Sequence, residues 1–280
     1  MNLDGLSGEW VYQAQADPRR ALLYFHGGAY VVGSPATHRA LCARLSRQAD
    51  ARVLVLDYRL APEHPYPAAV DDAVKACLRL FRDFDPGCVL LAGDSAGGGL
   101  AIATLMALRD AGHPLPRRVC CLSPWVDLEI RGESITGRAS SDPLLTPDWL
   151  RDSARLYAGG TKTCEPRISP LRGELEALPP LLIQVGSDEI LLSDARRLAQ
   201  RARSAGVEVT LDVWEGRHVA QLADVCRLYA RIRAGTVAGR AISPRVSTRS
   251  RPPLTTGFAQ RAGHACGLFS QYGVFPATEA

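Results

Sequence analysis

Lysine is nearly absent from this chain: Lys75 and Lys162 stand against 31 arginines in 280 residues. Eight of those arginines lie beyond Asp224, where Glu279 is the lone acid, so a basic end follows a slightly acidic body. Past about residue 235 there is no lysine, no amphipathic pattern and little aromatic interleaving, so nucleic-acid binding is not expected there. No run of about eighteen apolar residues occurs, so no helical membrane insertion is expected. The N-terminus Met1-Asn2-Leu3-Asp4-Gly5 lacks the basic patch and apolar stretch of an export signal, and the expectation is a cytoplasmic protein. The eight cysteines (Cys42, Cys77, Cys88, Cys120, Cys121, Cys164, Cys226 and Cys266) show no Cys-x-x-Cys spacing and no partner histidine pattern. Free thiols and no metal site are the reading.

What is present is a globular composition. With 46% hydrophobic residues and ordinary charge, a chain of this length can bury a large core in one α/β domain. Strand patterns near 10–15, 21–25, 52–57, 88–92, 119–123, 181–185 and 207–213 alternate with helix patterns near 37–49, 67–84, 96–110, 147–157, 192–205 and 219–232. This alternation predicts a mostly parallel, twisted central sheet with helices on both faces. Residues 1–234 form that domain. Residues 130–171 are a polar excursion, expected to act as a partial lid, and residues 235–280 a basic, poorly structured tail.

The chemistry centres on Gly93-Asp94-Ser95-Ala96-Gly97, placed between a strand pattern and a helix pattern. A sharp strand-to-helix turn needs small residues two before and two after its central position, and Gly93 and Gly97 stand there. Ser95 is then an exposed nucleophile with the Ala96 amide beside it. A phosphate loop would need lysine after the glycines, and a dinucleotide turn would need glycine in place of Ser95. The glycines of His26-Gly27-Gly28 follow a strand, where the amides of Gly27 and Gly28 can join that of Ala96 in an oxyanion hole. Of the six histidines, His218 is the candidate base, because it follows the last strand pattern late in the chain. Asp188 and Glu189 both end the strand near 181–185, and either can orient the imidazole while the other caps a helix.

Together with the run Asp57-Tyr58-Arg59-Leu60-Ala61-Pro62-Glu63-His64-Pro65-Tyr66-Pro67 and with Ser123-Pro124-Trp125-Val126-Asp127-Leu128, these motifs resemble the hormone-sensitive-lipase-like bacterial esterases of the α/β-hydrolase fold. The likeness covers about residues 8–224. It implies catalytic Ser95, Glu189 and His218, with Asp188 the alternative acid, and oxyanion amides from Gly27, Gly28 and Ala96. It also implies hydrolysis of short- to medium-chain acyl esters through an acyl-enzyme, with a small-molecule ester as the partner and neither metal nor organic cofactor. Lactone opening fits the same site, and the competing reading is a non-catalytic ligand-binding protein on this scaffold. Tyr30 and Trp125 are expected to line the acyl pocket. Relative to the family the N-terminal cap is reduced or incomplete, and the turn Glu215-Gly216-Arg217 before His218 is one residue short. Apolar surface uncovered in this way would favour a homodimer.

Overall fold

Ala21–Phe25 is an unbroken apolar run, and all five of its residues are buried. A strand covered on both faces sits at the centre of a parallel sheet rather than at its edge. The computed structural model describes residues 2, 3 and 5–216, with side chains from residue 5 onward. Its strands are β1 (Asn2–Leu3), β2 (Leu6–Val11), β3 (Ala21–Phe25), β4 (Arg52–Asp57), β5 (Val89–Asp94), β6 (Arg118–Leu122), β7 (Leu181–Gly186) and β8 (Val209–Trp214). They form one sheet in the order β1-β2-β4-β3-β5-β6-β7-β8. From β4 to β8 every pairing is parallel, while β2 runs antiparallel to β4.

The helices are α1 (Pro35–Ala49), α2 (Ala68–Asp83), α3 (Ala96–Asp110), α4 (Ser134–Gly137), α5 (Pro147–Ala158) and α6 (Leu192–Ser204). Side-chain alternation along the strands divides the core in two. Leu22, Tyr24, Val53 and Val55 pack with Cys42 and Leu45 of α1. Leu23, Phe25, Leu54 and Leu91 pack with α2, α3 and α6 on the other face. Truncating a side chain such as Leu23 to alanine there would cost about 2–5 kcal/mol.

Among the described residues the expected order of strands and helices is present, with one displacement of note. The first long strand is Leu6–Val11 rather than 10–15, because β4 provides antiparallel partners only as far as Val53, opposite Val11. Beyond it the chain turns at Gln13–Ala16, and the Gln13 amide goes to Ser46 Oγ at 3.1 Å.

The excursion is built into the body of the domain. Ile135, Leu150, Ala154, Tyr157, Ile168 and Leu171 are buried in the same core as α3. Its polar residues fasten it to the loop after β7: Ser134 Oγ donates to Ile190 O, Ser141 Oγ to Asp188 O, and the Ile190 amide donates to Asp142 Oδ2. No helix among the described residues is long and apolar enough to cross a membrane. The helix pattern near 219–232 and the segment 235–280 lie outside the described residues.

Candidate active site

Ser95 sits between β5 and α3 with φ 52° and ψ −120°, a conformation that side-chain-bearing residues rarely adopt. Its backbone is held on every side. The Ser95 amide donates to Leu122 O at 2.9 Å, and its carbonyl accepts from the amides of Gly98, Gly99 and Trp125. The glycines around it are there for close approach. A Cβ on Gly97 would strike the carbonyl oxygen of Phe25, and one on Gly93 would strike the backbone of Gly97. Helix α3 therefore begins pressed against the end of β3, with the serine at its positive end.

The loop after β3 turns back over this point through Gly28, Ala29 and Tyr30, all at positive φ. The Gly28 carbonyl accepts from the amides of Val31 and Val32, closing the turn. His26 is buried beneath it, stacked on Tyr58 at 4.3 Å with Nδ1 2.8 Å from Gly27 O. Burial lowers the His26 pKa, so the ring is neutral and Nδ1 carries the proton given to Gly27 O.

The three oxyanion amides anticipated from the sequence need one correction. The Gly27 amide donates to Asp94 Oδ1 at 2.9 Å, so it is committed to a carboxylate and is not available to a substrate oxygen. The amides of Gly28 and Ala96 have no acceptor among the described residues, and neither has that of Ala29, which the motif reading left out. Asp94 also accepts from Tyr24 Oη at 2.7 Å and pairs with His38 Nε2 at 3.3 Å. Burial pushes the Asp94 carboxyl up, but the His38 hydrogen bond and charge, with Tyr24, carry the net shift below the ordinary value.

Tyr30 and Trp125 also differ from expectation. They are 1% and 0% exposed and belong to a buried aromatic group, with Tyr30 stacked on Tyr157 at 3.8 Å and Trp125 6.3 Å away. The doubled-back turn at Gly28–Tyr30 carries the tyrosine ring inward. Both rings are closed off from solvent and are not an open wall of the site.

At the end of β7, Glu189 is 5% exposed, and its Oε1 accepts the Gly186 amide at 2.9 Å. Asp188 instead faces outward, with a 39% exposed side chain 4.0 Å from Arg138. Ser187 Oγ accepts the Gly216 amide at 2.9 Å, and the Ser187 amide donates to Trp214 O. The acid loop is thereby tied to the turn that leads toward His218, which itself lies outside the described residues. Asp194 stands nearby, fully buried, and its Oδ2 accepts the amides of Val126 and Asp127. Burial and then the neighbouring Asp127 outweigh these hydrogen bonds and raise its pKa to about 7. Among the described residues no group of three or more His, Cys, Asp or Glu is placed to hold a metal ion.

Comparison with known proteins bears on the family and the fold. Residues 22–221 match the family described as alpha/beta hydrolase fold. An acetyl-hydrolase of Streptomyces hygroscopicus is 52% identical over 209 residues, covering 74% of this chain and 70% of that protein. An esterase of Acinetobacter venetianus is 37% identical over 220 residues, covering 77% and 72% respectively. Among solved structures, an esterase from the bacterial hormone-sensitive lipase family superposes with a TM-score of 0.80 at 46% identity, covering 83% of this chain and 80% of that one. The chain belongs to the α/β-hydrolase family. Within that family, its likeness is to the bacterial hormone-sensitive-lipase esterases that the motifs pointed to.

Proposed function

We propose that this protein hydrolyses carboxylic esters of short to medium acyl chains through an acyl-enzyme on Ser95. The observation that carries the reading is Ser95 at φ 52°, at the head of α3, beside the acceptor-free amides of Ala96, Gly28 and Ala29. In this mechanism His218 takes the serine proton as Ser95 Oγ attacks the ester carbonyl. The three amides receive the charge that develops on the carbonyl oxygen. His218 then protonates the departing alcohol, and water repeats the sequence to release the acid. Glu189 orients the imidazole. Its burial at the strand end, against the outward-facing Asp188, favours it for that role.

The relative named acetyl-hydrolase supports acetyl and other small acyl groups as substrates. The test is hydrolysis of p-nitrophenyl acetate, butyrate and octanoate by the full chain, beside Ser95→Ala and His218→Ala. Turnover that declines with acyl length and vanishes in both variants is expected. Equal background rates in all three proteins would overturn the assignment.

A further inference from the structure

The residue that deepens this reading is His38, on the first turn of α1 and remote from any expected role. Its ring is fixed at both nitrogens. Nδ1 lies 2.8 Å from Thr37 Oγ1, and Nε2 lies 3.3 Å from Asp94 Oδ1. Thr37 Oγ1 also accepts the Ser34 amide and lies 2.7 Å from Ser34 O, which fastens the ring to the start of α1. Nε2 faces a carboxylate and therefore donates to it.

We propose that His38 is a positioning residue for the oxyanion loop: its Nε2–H, aimed at Asp94, holds that carboxylate in place, and Asp94 holds the Gly27 amide. Fixing Gly27 fixes where the next two amides, Gly28 and Ala29, point. The catalytic part of this inference rests on the assignment of Ser95 as nucleophile.

The other titratable groups around the pair are Tyr24 on β3, His26 with its ring 5.7 Å from that of His38, and Cys42 one turn along α1. Asp57 at the end of β4 and Glu9 on β2 act more remotely, through His26 and Cys42. Tyr24 and Cys42 are pushed upward by burial and stay neutral, and His26 is pushed downward by burial. His38 is the group left to titrate. Burial lowers its pKa, but Asp94 and the Ser34 carbonyl raise it further, so the charge persists above the usual histidine range and is lost as pH rises through the shifted value.

The test is an NMR titration of the full wild-type chain, following the His38 ring and the Gly27 amide together, with kinetics on p-nitrophenyl butyrate for His38→Gln and Asp94→Asn. The Gly27 amide should shift with the same midpoint as His38. His38→Gln should lower kcat about tenfold or more with KM within about twofold, and should remove the alkaline fall in kcat. A Gly27 amide that ignores the His38 titration overturns the proposal, whether or not the chain turns over esters. So does a folded His38→Gln variant with wild-type kcat at every pH. Absence of turnover in the wild type with a coupled Gly27 shift would sink the esterase reading alone.

Discussion

The hydroxyl of Ser134 donates to the carbonyl oxygen of Ile190 at 2.6 Å, fastening the segment between β6 and β7 to the loop that carries Glu189. The same oxygen accepts the Ser193 amide at 2.9 Å, so one small side chain satisfies two buried backbone groups. Ser134→Ala leaves both without their partner. Thermal melts should show a loss of about 1–3 kcal/mol, and kcat should fall as the acid loop loosens.

Ser95 is half-buried and holds a strained backbone. Ser95→Gly relieves the φ of 52° and should raise stability by about 1 kcal/mol. Ser95→Ala keeps the strain and should melt close to the wild type. Both variants should be without turnover, so calorimetry and a rate assay on the same samples separate strain from chemistry.

Gly97→Ala puts a methyl group into the carbonyl of Phe25, a backbone atom held in the middle of the sheet. Because β3 cannot yield without breaking its pairings, the variant should lose about 1–3 kcal/mol and most of its kcat. Gly112→Ala is the contrast: its Cβ would meet nothing within 4 Å, and although its φ of +70° costs some stability, turnover should survive.

Asp194 makes stability depend on pH in a direction opposite to most carboxylates. Its folded pKa, about 7, lies above the ordinary value of 3.8. The folded state therefore holds the proton more tightly, and the resulting stabilisation is full below about pH 4 and is lost as pH rises toward 7. Asp194→Asn imitates the protonated acid and keeps an oxygen for the Val126 and Asp127 amides. Melting temperatures between pH 5 and 8 should flatten in the variant, with a gain of about 1–4 kcal/mol at the upper end.

The elbow was readable in the sequence because its constraint is local: a strand, two small residues and a serine at fixed spacing specify the turn. The parallel strands were readable for a similar reason, since runs such as Ala21–Phe25 are apolar at every position and short. The anchoring of the oxyanion loop was not. Tyr24 and His38 reach Asp94 from 70 and 56 positions away, and such contacts leave no periodic trace. The inward turn of Tyr30 was hidden too, because Ala29 and Tyr30 adopt positive φ without being residues that favour it. The start of β2 depended on where β4 could offer partners, a matter of register rather than composition.

The buried aromatic group next to Ser95 also gives the protein a built-in optical probe. Trp125 is fully buried and its backbone amide donates to Ser95 O, while Trp10, Trp149 and Trp214 are all partly open to solvent. A soluble quencher therefore dims those three first and leaves the indole emission that originates next to the serine. Tyr30 and Tyr157, stacked close by, can pass excitation to it. The residual fluorescence therefore reports, without any added label, on the turn that holds Ser95.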